Sequence, residues 1–143
     1  MLYNSNYIDK LRSSGLRPTK QRIKICEILF STENTFHFTI NDLVKKISEE
    51  VDEKISLATV YNTVHALKTK GYLKEISINT DRSYFDTNIS HHHHFFDKST
   101  EELIDLSDED VEKIQIKKSL LGKKISSVEV LSLIHISEPT RPY

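Results

Sequence analysis

Apolar residues recur at helical spacing in four stretches of the first half of the chain. The first stretch, 3–12, predicts a short helix, with Gly15 as a stop signal a few residues later. A second helix is predicted after Pro18 and Thr19, because proline fixes a helical φ and threonine caps backbone N–H groups. The residues that share the apolar sides of these two helices are Tyr3, Tyr7, Ile8, Leu11, Ile23, Cys26, Leu29 and Phe30.

The third and fourth helices carry stronger start and stop signals. Thr39 is an N-cap residue, and Asp42 completes an acidic variant of the capping box. Ser56 caps the fourth helix, 57–70, which ends at Gly71 because glycine readily adopts the left-handed conformation found at helix C-termini. The predicted apolar stripes are Ile40, Leu43, Val44, Ile47 and Val51 in the third helix and Leu57, Val60, Val64 and Leu67 in the fourth.

A β-hairpin is predicted after the fourth helix. The segments 73–78 and 84–85 flank the turn 79–82, which consists of turn-forming residues. Helices followed by a hairpin favour a winged helix-turn-helix, which is a DNA-binding fold, and we assign it to residues 1–83. Other small helical domains share these periodicities, so the pattern favours this fold without requiring it.

The second half of the chain predicts short strands and one helix, which makes the overall class α+β. Residues 103–106 predict a strand, Ser107 with three acids behind it predicts a helix start, and 125–134 alternate as a closing strand. We assign residues 84–134 to a small α/β unit of about fifty residues, which buries little apolar surface alone and is expected to dimerise. Residues 135–143 contain two prolines and are interpreted as a non-native or disordered tail.

Composition restricts the class of protein. A single cysteine, Cys26, excludes an internal disulfide framework and fits a reducing cytoplasm. No apolar run approaches the roughly 18 residues that cross a bilayer, and no signal-peptide pattern begins the chain, so we expect a cytoplasmic protein without a membrane partner. Residues 1–83 carry a small excess of Lys and Arg, which favours a polyanionic partner, although solvated surface charge gives the same pattern.

The fourth helix has residues that suit a DNA groove. No Asp or Glu occurs between Ser56 and Lys74, so no carboxylate repels phosphate there. Asn pairs with adenine, Thr and Tyr contact thymine methyl groups, and cations meet the phosphate backbone or the minor groove. The predicted base-reading side chains are Thr59 and Tyr61, with Asn62 and Thr63 beside them, and the predicted backbone contacts are Arg17 and Lys20.

Four consecutive histidines, His91 to His94, stand between two pairs of aromatic residues. Alternate side chains of a strand share a face, so His92 and His94 point one way and His91 and His93 the other. Two imidazoles about 7 Å apart reach one cation with bonds of about 2.0–2.1 Å, so the run supplies two half-sites. A purification tag is the alternative interpretation, but tags stand at a terminus and are longer, whereas this run is internal.

Three segments together resemble the ferric uptake regulator family. They are Gly-Leu-Arg-Pro-Thr-Lys-Gln-Arg at 15–22, Leu-Ala-Thr-Val-Tyr-Asn-Thr at 57–63, and Tyr-Phe-Asp at 84–86 ahead of the histidine run. The resemblance covers roughly residues 7–131 and implies a homodimer that reads an A/T-rich pseudo-palindromic operator. It also implies a regulatory metal held by His37, Asp86, His92, His94 and Asp105. These N/O ligands suit Fe(II), Mn(II) or Zn(II), and residue types alone do not separate them.

The chain also departs from that family's pattern. Asp97 and Thr100 stand where most members have their first cysteine pair, so a four-cysteine structural zinc site cannot form. A second site of the family corresponds to His91, His93 and Glu112, and it lacks its last ligand. The absent cysteine pairs and the histidine run before Phe-Phe resemble the iron response regulator branch. This resemblance implies axial haem ligation by one or two histidines of the run.

The sequence therefore predicts a regulator of iron- and haem-related genes that responds to metal or haem, and not an enzyme. The alternative within the family is a peroxide-, zinc- or manganese-responsive repressor. A small metallohydrolase would need an open metal position and a general base, and no catalytic constellation stands out. A metal-buffering protein would have no use for the acid-free fourth helix.

Overall fold

The computed structural model describes residues 2–136, with side chains from residue 5 onward. The chain forms two compact units, Met1–Ile89 and Ser90–Tyr143. The boundary lies later than the predicted one at residue 83, because the third strand of the first unit extends to Asp86. Residues 137–143, the greater part of the predicted tail, lie outside the described residues.

The first unit consists of four helices and a three-stranded sheet. The helices are α1 (Leu2–Ser13), α2 (Lys20–Phe30), α3 (Ile40–Glu50) and α4 (Leu57–Lys70). The strands are β1 (His37–Phe38), β2 (Lys74–Asn79) and β3 (Arg82–Asp86). They pair antiparallel in the order β1-β3-β2, so the predicted hairpin is the β2–β3 wing and β1 extends its sheet.

Local side-chain hydrogen bonds determine where these helices begin, as the sequence predicts. The Thr39 and Asp42 side chains accept hydrogen bonds from each other's backbone N–H groups, which forms the predicted capping box of α3. The Ser56 hydroxyl oxygen accepts from the Thr59 N–H at 3.1 Å and caps α4. At the other end of α4, Gly71 has a φ of 99°, a conformation that favours glycine.

One contiguous apolar cluster holds the first unit together. Its buried members are Tyr7, Leu11, Ile25, Cys26, Ile28, Leu29, Phe38, Leu43, Ile47, Ile55, Val60, Val64, Leu67, Leu73 and Phe85. The predicted apolar stripe of α4 was wrong at Leu57. This residue is 59% exposed, because the buried side of α4 starts one turn later, at Val60. The predicted apolar side of α2 missed Ile25 and Ile28, which this helix buries more deeply than Ile23 and Phe30.

The second unit is a smaller three-stranded sheet. Its strands are β4 (His93–Asp97), β5 (Glu102–Leu106) and β6 (Leu131–Ile134). In the order β5-β4-β6, β4 pairs antiparallel with β5 and parallel with β6. The predicted strand at 103–106 is confirmed, and the closing strand is shorter than the predicted 125–134.

The helix predicted after Ser107 is wrong, because the structure contains only one 3₁₀ turn there, Asp108–Asp110. Residues 111–130 form neither helix nor strand. Acids in the first turn favour a helix start, but a helix is stabilised mainly by burying an apolar face. Ile114, Ile116 and Leu120 are exposed, so the segment lacks that stabilisation in a single chain.

None of the described helices is long and apolar enough to cross a membrane.

Candidate metal centre and DNA-binding face

The histidine run lies at the start of β4 and divides into two pairs, as strand alternation predicts. The rings of His92 and His94 have their centroids 4.4 Å apart, and those of His91 and His93 5.0 Å apart. We call the side with His92 and His94 the even face and the side with His91 and His93 the odd face. Each face has its own carboxylate, Asp105 or Asp108.

The even face gathers three candidate ligands from two paired strands. His94 lies opposite Asp105 in the antiparallel register of β4 and β5, so the backbone pairing brings the carboxylate to the imidazoles. The Asp105 Oδ1 atom is 3.3 Å from Nε2 of His94 and 3.7 Å from Nε2 of His92. Both imidazoles are almost buried, while the Asp105 side chain is half exposed.

The hydrogen bond on the other ring nitrogen of His92 determines its tautomer. Nδ1 of His92 lies 2.7 Å from the backbone carbonyl oxygen of Ser90, and a carbonyl only accepts, so Nδ1 carries the proton. In the neutral ring, Nε2 therefore has the lone pair and points toward the Asp105 carboxylate. Two acceptors facing each other are stabilised by a cation between them. This is the arrangement that metal-binding histidines commonly have, with a backbone carbonyl orienting the ring.

His37 and Asp86, the other two predicted ligands, belong to the first unit. They are directly opposite each other in the β1–β3 pairing, so they are neighbours in that sheet. The Asp86 side chain is buried, and its Oδ1 accepts a hydrogen bond from the Asn88 N–H at 2.8 Å. The structure thus places the predicted ligands as a pair in the first unit and a triad in the second.

On the odd face, His93 is held by hydrogen bonds at both ring nitrogens. Its Nδ1 accepts from the Val130 backbone N–H at 2.9 Å, and its Nε2 lies 2.9 Å from Oδ1 of Asp108. Nε2 of His91 is 3.3 Å from the same oxygen. The hydrogen bond from His93 holds the pKa of Asp108 below its usual value.

The carboxylate that the structure brings to the imidazoles of the odd face is not the one that the family resemblance implies. The resemblance implies Glu112, whereas the side chain in contact with His91 and His93 is Asp108. Four acids occur between residues 108 and 112, and the 3₁₀ turn decides which of them faces the histidines. Glu112 lines a groove of about 720 Å³ beside the odd face, whose apolar walls include Val111, Ile125 and Val128.

The outer side of α4 presents some of the predicted DNA-contacting residues and buries another. Tyr61 is 53% exposed, Asn62 is exposed and Thr59 is half-buried. Thr63 is completely buried, and its hydroxyl donates a hydrogen bond to the Thr59 carbonyl at 2.7 Å. Its prediction as a DNA contact is therefore wrong, because it lies between Val60 and Val64 on the core side of the helix.

The same face has a side chain that was not predicted as a contact. The ring of His65, one turn after Tyr61, stacks on the tyrosine ring with centroids 5.9 Å apart and planes 5° from parallel. The i, i+4 spacing of Tyr61 and His65 could have predicted this ring contact from the sequence, because residues at that spacing meet on a helix surface. The two predicted backbone cations, Arg17 and Lys20, are exposed, and Lys20 lies 3.6 Å from Glu53.

The model of the ferric uptake regulator family matches residues 13–132. The chain belongs to this family. The ferric uptake regulation protein of Pseudomonas fluorescens is 30% identical over 109 residues, which are 76% of this chain and 87% of that protein. The peroxide-responsive repressor PerR of Staphylococcus aureus is 32% identical over 98 residues, 68% of this chain and 64% of that protein.

Among solved structures, the ferric uptake regulator of Pseudomonas aeruginosa with manganese has a TM-score of 0.68 at 25% identity. The alignment covers 96% of this chain and 100% of that one. The predicted fold class, an N-terminal winged-helix DNA-binding domain followed by a small α/β dimerisation domain, is confirmed. As a ferric uptake regulator family member, the protein is a metal-responsive transcription regulator and not an enzyme.

One departure from the family pattern has a visible local role. At Asp97, where the family pattern has a cysteine, Oδ1 accepts hydrogen bonds from the backbone N–H groups of Ser99 and Thr100 at 2.9 and 3.3 Å. The hydrogen bonds from Ser99 hold the pKa of Asp97 below its usual value. The side chain that replaces a thiolate therefore closes the turn between β4 and β5.

Proposed function

We propose that this protein is a cytoplasmic, homodimeric regulator of iron- and haem-related genes whose affinity for DNA depends on a metal ion or haem at the histidine run. The observation that carries the proposal is the even face. There Nδ1 of His92 donates to the Ser90 carbonyl, and Nε2, which has the lone pair in the neutral ring, lies 3.7 Å from the Asp105 carboxylate. An imidazole and a carboxylate arranged in this way favour a divalent cation.

The proposed regulatory site combines the even-face triad with the pair from the first unit. Its ligands are His37, Asp86, His92, His94 and Asp105. Three nitrogens and two oxygens without thiolate suit Fe(II), Mn(II) or Zn(II). An ion held by residues of both units selects one orientation of the DNA-binding unit relative to the other. It changes DNA affinity only as far as it binds the two orientations unequally.

Haem is the second candidate ligand, and the groove beside the odd face supports it. His91 is 40% exposed and lines this groove together with Val111, Ile125 and Val128. An imidazole beside apolar walls suits a flat, largely apolar ring with an axial nitrogen ligand. The haem spectrum of the wild type should change when the run is substituted. An unaltered Soret band after replacement of all four histidines by alanine would exclude haem binding at the run.

For DNA, we propose that Tyr61 reads bases with Thr59 and Asn62 beside it, while Arg17 and Lys20 contact the backbone of an A/T-rich pseudo-palindromic operator. The exposure of Tyr61 on an acid-free helix supports this assignment. Base contacts specify a sequence, whereas phosphate contacts strengthen binding to any sequence. Tyr61→Ala should therefore weaken specific binding far more than binding to random DNA. Arg17→Ala should weaken both and lower the salt slope by about one unit.

The experiment that tests the regulatory site measures affinity for an iron-gene promoter fragment, with and without Mn(II), at fixed salt. We expect Mn(II) to change the affinity of the wild type and of the control His135→Ala, which removes an exposed histidine outside the site. His37→Ala should retain ligands in the second unit but lose this change. If Mn(II) shifts all three proteins equally, the proposed site is not the switch.

A peroxide- or metal-responsive repressor of the same family is the alternative, and the similarity to the Staphylococcus aureus repressor favours it. The two functions differ in what releases DNA. A peroxide-responsive protein loaded with Fe(II) would lose operator binding after treatment with hydrogen peroxide, whereas the proposed regulator would change its operator binding on removal of metal or addition of haem and not on treatment with peroxide. The same promoter fragment serves both measurements.

A further inference from the structure

His93 joins three separate segments of the second unit. It belongs to β4, its Nε2 meets Asp108 in the 3₁₀ turn, and its Nδ1 meets Val130 just before β6. His93 is 2% exposed, so its ring is shielded from water, although the Asp108 carboxylate that it meets is exposed. Val130 is also held through its carbonyl group, which accepts a hydrogen bond from the His94 N–H at 3.0 Å.

These hydrogen bonds determine the tautomer of His93. A backbone N–H only donates, so Nδ1 must carry the lone pair that accepts from Val130. The ring proton is then on Nε2, where it is donated to the Asp108 carboxylate. This is the opposite tautomer to that of His92, whose Nδ1 donates to the Ser90 carbonyl.

A cation at the odd face conflicts with this arrangement. Binding to Nε2 of His93 requires the lone pair at that atom and moves the ring proton to Nδ1. The proton would then point at the Val130 N–H, and two donors would face each other at 2.9 Å. The donors of the odd face are His91, His93 and Asp108, and Val128 offers no ligand atom, so a cation that cannot use Nε2 of His93 has only two of them.

We propose that the odd face is a hydrogen-bonded latch that fastens β6 and the 3₁₀ turn to β4, and that each chain binds one divalent ion rather than two. The second metal site of the family pattern is thereby converted into a structural junction. The inference rests on the proposed function only in assigning the one ion to the even face.

Substitutions of His93 separate a latch from a ligand. Asn places a carbonyl oxygen near the position of Nδ1, where it accepts from Val130, and Gln places an amide N–H near Nε2, where it donates to Asp108. Ala removes both bonds. If His93 is a latch, Ala lowers the thermal midpoint of the second unit most, by about 5–10 °C, and Asn and Gln each lower it less.

The number of Mn(II) ions bound per metal-free chain, measured by equilibrium dialysis, is the second readout. We expect one ion in the wild type and in all three His93 variants. Asp108→Asn should also bind one ion and remain folded, because its amide oxygen still accepts from His93. Long-range ¹H–¹⁵N spectra should show His93 with its proton on Nε2 and His92 with its proton on Nδ1.

Two bound ions in the wild type, with one lost in His93→Ala and in Asp108→Asn, would overturn the latch. So would a proton on Nδ1 of His93. The proposed function fails by a different result, namely an unchanged single ion in His92→Ala with His94→Ala. The two proposals are thus tested independently in one series of variants.

Discussion

The DNA-binding unit buries one contiguous apolar cluster, whereas the second unit buries three histidines and only two large apolar side chains, Phe96 and Leu103, among its described residues. Most of the apolar residues between 111 and 136 are exposed, and Leu121 is fully so. The first unit is therefore stabilised by burial of apolar surface within one chain. The second unit is stabilised by backbone pairing between its strands, by the hydrogen bonds of its imidazoles and by any ligand or partner chain that binds to it.

This difference between the units explains why most of the apolar residues between 111 and 136 are exposed in a single chain. A small unit with few buried apolar residues gains stability from a partner chain or a ligand. In the proposed homodimer the partner chain would stabilise the second unit, and the proposed metal ion would stabilise the same unit. The DNA-binding unit has its own buried apolar cluster, so we expect it to stay folded when the second unit loses its ligand.

The largest expected difference between the units is in their response to loss of a buried leucine. Leu67→Ala opens a cavity inside the apolar cluster and should cost about 2–5 kcal/mol. Leu103→Ala should cost at most about half as much, since Leu103 lies outside that cluster and its surroundings can collapse. Hydrogen exchange of the amides of α4 and β4 measures each unit separately. Equal losses would contradict the comparison.

Metal should stabilise the second unit directly. At a free Mn(II) concentration one hundred times its dissociation constant, an ion that binds only the folded state adds about 2.7 kcal/mol. The gain should appear in exchange protection of β4 and β5 and disappear in His92→Ala with His94→Ala. His135→Ala, an exposed histidine outside the site, should keep the gain. An identical gain in the double variant would place the ion elsewhere.

Alkaline pH should weaken the first unit through Cys26. Burial raises the pKa of its thiol to about 12, and the nearby Lys10 charge offsets this only in part. In the unfolded chain the thiol ionises at about pH 8.5. The buried neutral thiol therefore makes its full contribution to the free energy of unfolding below that pH, and this free energy falls by about 1.4 kcal/mol per pH unit up to about pH 12.

The measurement compares urea unfolding of the wild type with that of Cys26→Ala at two pH values. The difference between the proteins should change by about 2 kcal/mol between pH 8.5 and 10, because only the wild type has the thiol. A pH-independent difference would mean that Cys26 ionises as easily in the folded state as in the unfolded one.

The smallest expected effect concerns helix caps. Thr39→Ala removes the capping box of an eleven-residue helix and should cost the first unit about 1 kcal/mol. Ser107→Ala removes only an exposed hydroxyl contact with Asp110 at a single 3₁₀ turn, and should cost less than about 0.5 kcal/mol. Thermal midpoints of the two variants would show the contrast. A larger loss for Ser107→Ala would indicate that the turn matters more than its exposure suggests.

Features set by neighbouring residues were predictable from the sequence. The caps at Thr39 and Ser56, the stop at Gly71 and the pairing of alternate histidines all depend on contacts within about one turn or on strand geometry. The predicted bounds of α4 match the structure for the same reason. The sequence alone predicts these features, because no distant part of the chain is needed to form them.

Only the tertiary structure decided which side chains meet across the fold. It buried Thr63 rather than Leu57, brought Asp108 rather than Glu112 to the odd face, and left residues 111–130 without a helix. It also gave His92 and His93 opposite tautomers, although they are adjacent in sequence and identical in type. The reason is physical: a ring proton is positioned by the backbone group that faces it, and Val130 faces His93 because the strand that follows it, β6, pairs with β4.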